Sequence, residues 1–120
     1  MQNKSKSLGI AKGFLGREVE VVVDRPIGSV HPEFGFAYEV NYGYVEGVKA
    51  PDGEELDAYF LGTDKPLAKA KGRVVAIVRR LNDDDDKLVV VADGDVPGDE
   101  EIRRAVEFQE KWFVYEILRG

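Results

Sequence analysis

Polar and β-branched residues alternate at the start of Arg17 to Asp24, REVEVVVD, and then merge into an apolar run. That pattern predicts a central strand, closed by Pro26 and the turn residues Gly28-Ser29. Glu55 to Leu61 alternates again, with Leu56, Ala58 and Phe60 on one face and Glu55, Asp57 and Tyr59 on the other. One face is therefore predicted apolar and the other polar. Gly62 to Gly72, carrying Lys65, Lys69 and Lys71, reads as a connecting loop. Arg73 to Leu81, RVVAIVRRL, predicts a buried strand and Lys87 to Ala92 another, joined by the hairpin connection Asn82-Asp83-Asp84-Asp85-Asp86.

Helical spacing enters only near the C terminus. Asp93 to Asp99 is turn-rich, and Asp99 is placed to N-cap a helix running to about Trp112, with Glu100 and Glu101 favouring its N-terminal dipole. Ile102, Ala105, Val106, Trp112 and Phe113 fall on one face, a pattern of core packing. Val114 to Leu118 reads as a last strand that closes the sheet.

A chain of 120 residues with 43% hydrophobic and 33% charged residues has room for one globular core. Residues 1–14, MQNKSKSLGIAKGF, read as a polar lead-in too weakly apolar for a secretory signal, and 15–120 as a single domain. No run is long enough to cross a bilayer, so no membrane partner is expected. The absence of cysteine removes disulfides, thiolate ligands and thiol nucleophiles, and makes the cytoplasm the default compartment. A net charge of −6 without a basic patch argues against nucleic acid. It leaves room for a small phosphate compound that arrives with its own divalent metal.

The chemistry concentrates in Tyr38 to Asp57, YEVNYGYVEGVKAPDGEELD. Pro51-Asp52-Gly53 is a strong turn signal, and Asp52, Glu54, Glu55 and Asp57 set four acids within six residues. Solvent or a cation must relieve their repulsion. Hard oxygen ligands suit Mg²⁺, although the same pattern also serves as a solvated acidic turn. On a strand, Tyr38, Tyr42 and Tyr44 share one face, either lining a cleft or packing as half-buried aromatics with wet tips. His31, beside Ser29 and Arg25, either helps hold a phosphate or shapes a turn before Pro32. No nucleophile elbow accompanies a Ser-His-Asp arrangement.

Asn41-Tyr42-Gly43-Tyr44 and Asp52-Gly53-Glu54-Glu55-Leu56-Asp57 resemble the NYGY segment and the Asp-x-Asp-Pro-x-Asp signature of the soluble family I inorganic pyrophosphatases. Glu54 replaces the middle aspartate and Glu55 the proline. Asp24-Arg25-Pro26 is similar to that family's glutamate-x-proline at the end of an early strand, with Asp for Glu. Asp83, Asp85 and Lys87 look like its second pair of metal-binding aspartates and the phosphate-binding lysine that follows. The short loop leaves Asp85 or Asp86 open as the second of the pair. Two features depart from the family. Ile27 to Ala37 is too short for the hairpin that carries a lysine, a glutamate and an arginine, and Phe108-Gln109-Glu110-Lys111 lacks the tyrosine of a Tyr-Lys pair.

The resemblance covers roughly Val19 to Ala92. With the strand count, it implies a mainly β (α+β) fold, a small closed or partly open OB-like β-barrel of five or more strands with one C-terminal helix packed at its side. It also implies Mg²⁺-dependent cleavage of a phosphoanhydride by metal-activated water, with pyrophosphate or a small phosphate as substrate; the oligomeric state stays open, a homo-oligomer among the options. Read together with the residues, the expected metal ligands are Asp52, Asp57, Asp83 and Asp85. The expected catalytic groups are Glu54, Asp57 and Lys87, and the substrate-binding groups Arg25, His31, Tyr38, Tyr42 and Lys111. Loss of the hairpin opens the pocket, so a related phosphohydrolase with another small phosphate substrate is the alternative. A non-catalytic barrel that binds a cation or an acidic-surface partner is a third reading.

Overall fold

Five strands, some alternating between buried and exposed positions and the last buried throughout, close into a barrel. In the computed structural model, which describes residues 6–49, 55–81, 86–92, 94 and 96–119, these are β1 (Glu18–Arg25), β2 (Asn41–Lys49), β3 (Glu55–Leu61), β4 (Lys69–Arg80) and β5 (Lys87–Val91). They are hydrogen-bonded in the order β1-β2-β3-β5-β4, and β4 returns to pair with β1. Only β3 and β5 run parallel; the other barrel pairs are antiparallel. A sixth strand, β6 (Tyr115–Leu118), pairs along the end of β4 from Ile77 to Arg80. It extends the sheet, whereas the barrel is closed by β1 and β4. The chain is thus the mainly β, OB-like barrel with a helix at its side that the sequence implies.

Two apolar clusters divide the core. Val19, Val21 and Val23 of β1 meet Leu56, Ala58 and Phe60 of β3, Val74 and Ile77 of β4, and Leu88 and Val90 of β5. The opposite faces of the same strands, with Tyr59, Leu61, Ala76, Val78, Val89 and Val91, pack on Ile102, Val106 and Phe108 of the helix α2 (Asp99–Glu110). An irregularity between Val74 and Ala76 lets β4 serve both clusters. Without it Val74, Ala76 and Val78 would share a face; with the extra residue Val74 and Ile77 turn one way and Ala76 and Val78 the other. The helix also explains why the end of β3 is buried on both faces. Tyr59 and Leu61 are 0% and 5% exposed because α2 covers them.

Four boundaries differ from the sequence reading. Part of the expected lead-in is a short helix, α1 (Lys6–Lys12), whose Leu8 and Ala11 join the first cluster. Lys69 to Gly72, read as loop, begin β4 and pair with Val19 to Val22 of β1. Gly98 rather than Asp99 occupies the N-cap of α2 in an extended conformation, so Asp99, Glu100 and Glu101 form its first turn and face the helix dipole. The helix ends at Glu110, and Trp112 lies beyond it, 58% exposed.

The Asn41-Tyr42-Gly43-Tyr44 segment owes much of its composition to this architecture. Asn41 is fully buried and accepts the backbone N–H groups of Ile27 (3.1 Å) and Leu67 (3.2 Å) on Oδ1 while Nδ2 donates to Lys65 O (3.0 Å). One amide side chain thereby ties the loop after β1 to the loop before β4. Gly43 lies where β1 crosses closest, and a Cβ there would overlap the backbone of Val22 and Val23. Gly43→Ala is expected to destabilise the fold by about 1–3 kcal/mol, as overpacking against unyielding backbone does. Urea melts read this directly, and an unchanged midpoint would remove the close approach as the reason for glycine.

Candidate active site

At the end of β1 the register slips between Val23 and Arg25. Adjacent strand residues ordinarily point to opposite faces, but such a bulge re-aims them, and Asp24 and Arg25 both line one cavity of about 660 Å³. Asp57 reaches the same cavity from β3 and Lys87 from the first position of β5. Those strands are parallel neighbours, with Ala58 opposite Leu88, so Asp57 and Lys87 fall side by side. Tyr42 lies across from Tyr59 on β2, diagonal to Asp57, within reach of a long aromatic side chain.

Three of these groups are joined by hydrogen bonds. The Tyr42 hydroxyl donates to Asp57 Oδ2 (2.9 Å), and Lys87 Nζ donates to the Tyr42 oxygen (2.9 Å) and to Asp57 Oδ2 (3.3 Å). The Lys87 side chain is 3% exposed and that of Asp57 38%. A buried ammonium therefore has its counter-charge at the cavity wall, where the carboxylate still meets solvent. Both bonds fall on Oδ2. Asp24 shares the site: partial burial pushes its carboxyl up, Arg25 opposes the shift, and the charge of Asp57 adds to it.

A second polar chain runs behind this one. Tyr38 Oη donates to Gln109 Oε1 (2.9 Å), Gln109 Nε2 donates to Tyr59 Oη (2.7 Å), and Tyr59 Oη donates to Glu110 Oε2 (2.6 Å). Glu110, with no exposed surface, also takes a two-pronged ion pair from Arg80, Nε to Oε1 at 2.8 Å and one terminal nitrogen to Oε2 at 3.1 Å. Burial, reinforced by the Glu110 charge, pushes the Tyr59 phenol well above its ordinary range. Tyr59 thus stays a neutral donor. Burial likewise raises Tyr38, with the Arg25 charge opposing. The chain fixes Tyr38, which stacks on Tyr42 at 5.6 Å between ring centroids.

Of the residues expected from the sequence, the cavity gathers Arg25, His31, Tyr38, Tyr42, Asp57 and Lys87. His31 also shapes its loop: Nδ1 accepts the backbone N–H groups of Glu33 (3.1 Å) and Phe34 (3.2 Å), which leaves the ring proton on Nε2. Ser29 is spent on the turn, its hydroxyl donating to Pro26 O at 2.6 Å. Lys111 does not line the cavity; it is exposed, with its ammonium 4.8 Å from the Trp112 ring centroid. Asp52, Glu54, Asp83 and Asp85 lie outside the described residues. Asp86, the alternative to Asp85, is buried next to Lys87.

The sequence reading left out Arg80, Gln109 and Glu110, although a signal was present. From Ile102 and Val106 the helical period leads to 109 and 110, so two polar residues stand at core positions and require partners. Trp112 and Phe113, expected in the core, instead line the cavity with Phe34 and Phe36.

No protein-family model and no curated protein matches this chain. Solved structures do. An inorganic pyrophosphatase from Ehrlichia chaffeensis is 16% identical, with 85% of each chain covered and a TM-score of 0.65. One from Neisseria gonorrhoeae is 24% identical over 78% of this chain and 72% of that one, with a TM-score of 0.60. One from Helicobacter pylori is 15% identical over 100% and 89%, with a TM-score of 0.65. At these identities the likeness is one of fold: the barrel is built like those of inorganic pyrophosphatases.

Among the described residues no group of three or more His, Asp or Glu is placed to hold a metal ion. Asp57 and Asp24 nevertheless have the right chemistry. Mg²⁺ asks for one or two carboxylates and fills its other positions with water and phosphate oxygens, and Asp57 has its hydrogen bonds concentrated on one oxygen.

Proposed function

We propose that this chain is a Mg²⁺-dependent hydrolase of phosphoanhydrides, of the inorganic pyrophosphatase type and a divergent relative of that family. The observation that carries the reading is the Tyr42–Asp57–Lys87 constellation, set in a ligand-sized cavity on a barrel of pyrophosphatase architecture. Asp52, Asp57, Asp83 and Asp85 would share the metal ions between them, one or two carboxylates to each ion, with Asp24 beside Asp57 in the same cavity. When bound, Mg²⁺ lowers the pKa of water and neutralises phosphoryl charge.

The protein's own residues account for the remaining tasks. Lys87 presents a fixed positive charge where charge builds on the phosphoryl oxygens, a preorganised contribution that needs no rearrangement during reaction. Arg25 offers a planar fork of donors suited to phosphate. Tyr42 holds Asp57 in orientation and is itself held by the stacked Tyr38. Glu54 takes a proton from the attacking water. The water oxygen forms a bond to one phosphorus, the bridging P–O bond breaks, and its electron pair leaves on the departing phosphate. No covalent enzyme intermediate is needed. Among the described residues no helix is long and apolar enough to cross a membrane.

Thermal melting tests the metal and substrate together. A ligand that binds only the folded state stabilises by about 2.7 kcal/mol at a hundredfold excess over Kd, on the order of 10 °C in Tm for a chain of this size. Mg²⁺ should raise Tm, and Mg²⁺ with methylene diphosphonate, a non-hydrolysable pyrophosphate analogue, should raise it further. No shift with Mg²⁺, Mn²⁺ or the analogue would remove the reading.

A further inference from the structure

One wall of the cavity has no task in binding pyrophosphate. It is built from aromatic rings: His31 stacks on Phe34 at 4.8 Å and meets Phe36 at 5.0 Å, and Phe36 packs on Trp112 at 5.5 Å. The series continues inward, Phe36 to Tyr38 at 5.4 Å and Tyr38 to Tyr42 at 5.6 Å. At Tyr42 the series meets the polar groups, because its hydroxyl bonds Asp57 and Lys87, while its ring goes on to pack against the buried Tyr59 at 4.9 Å. The outer rings are open to solvent, Phe34 at 73% and Trp112 at 58% exposure.

Pyrophosphate and phosphate are anions without an apolar or π face, so they give these rings nothing to bury. Adjoining aromatic rings that open a shared apolar surface to solvent at a cavity mark a ligand-binding surface. The cavity volume of about 660 Å³ is that of a site for an organic molecule, which typically spans about 300–1,000 Å³. Aromatic rings beside cationic groups, here Lys87 and Arg25, are the arrangement that binds a phosphate and a planar ring in one molecule. The sequence agrees. GSVHPEFGF contributes His31, Phe34 and Phe36 to the wall.

We infer that the substrate of this site is a phosphoanhydride that bears a planar aromatic ring, by chemical class a nucleoside diphosphate or triphosphate. Its phosphoryl groups face Asp57, Lys87 and Arg25, and its ring lies against Phe34, His31 and Trp112. This rests on the hydrolase reading above and specifies its substrate. Water forms the new bond to the terminal phosphorus and gives its proton to the base. The terminal anhydride P–O bond breaks with its electrons left on the neighbouring phosphate, and the products are phosphate and a nucleotide one phosphoryl group shorter.

Trp112 is the chain's only tryptophan, so its fluorescence reports on the wall without any need for turnover. With Mg²⁺ present, titration with adenosine 5′-(α,β-methylene)diphosphate should quench it, and methylene diphosphonate or ribose 5-phosphate should not. Phe34→Ala should weaken the adenosine analogue relative to methylene diphosphonate by between about fivefold and a hundredfold, the range of one base–aromatic stack. Phe34 is exposed, so the fold survives its loss. Equal affinity with and without the ring, or unaltered Trp112 emission, overturns the inference. Pyrophosphate hydrolysis with no ring-dependent binding would leave the hydrolase reading intact and remove this one. Ring-dependent quenching with no hydrolysis of any substrate would uphold the ligand class and remove the hydrolase reading.

Discussion

Glu110→Ala is expected to lower stability by about 3–5 kcal/mol, because it breaks a buried ion pair by removing one partner, the carboxylate that takes two Arg80 nitrogens and the Tyr59 hydroxyl. Arg80 and Glu110 have side chains 7% and 0% exposed, so solvent cannot replace the lost partner. The substitution also strips Tyr59 of its acceptor and loosens the chain through Gln109 to Tyr38. Total stabilities of about 5–15 kcal/mol are usual, which makes this a change of roughly a fifth or more. The double replacement Arg80→Met with Glu110→Leu should recover most of the loss, since apolar groups of similar volume leave no charge stranded. Urea melts of the two proteins decide the matter. A loss below about 1 kcal/mol in Glu110→Ala, a value usual for exposed pairs, would contradict the buried network.

Lys87→Met should lower kcat/KM for phosphoanhydride cleavage by about 10²- to 10³-fold, the usual effect of removing one fixed donor to transition-state charge. The methionine keeps most of the volume of a buried side chain, so packing on β5 should survive. A role confined to neutralising Asp57 predicts a different result. Stability would then change, and kcat/KM in the folded protein would stay within about twofold, well below the contribution of a transition-state donor.

Much of the barrel was legible because its strands carry a period-two pattern or a continuous apolar run: β1, β3, β5 and the inner part of β4 sit where that pattern puts them. The start of β4 was not. Lys69-Ala70-Lys71-Gly72 has the composition of a loop, and only backbone pairing with β1 makes it a strand. Nor was α1. Seven residues with a central glycine cannot hold a helix alone; the burial of Leu8 and Ala11 against the barrel supplies what propensity lacks.

The site was legible where its residues cluster in sequence and obscure where only the fold joins them. Tyr42, Asp57 and Lys87 belong to recognisable local patterns. Arg80 and Glu110 come from separate elements and meet only once α2 packs on the barrel. Trp112 was misplaced for a related reason: helical spacing was carried past Glu110, where the helix ends and the chain turns towards β6.

Phosphate release from pyrophosphate, followed with the native protein in Mg²⁺ and then in excess chelator, tests the central claim most directly. Turnover that requires Mg²⁺ and is abolished by the chelator is the result predicted. Absence of turnover from pyrophosphate and from nucleoside diphosphates and triphosphates, in Mg²⁺ and in Mn²⁺ alike, would contradict the assignment of this cavity to phosphoanhydride hydrolysis.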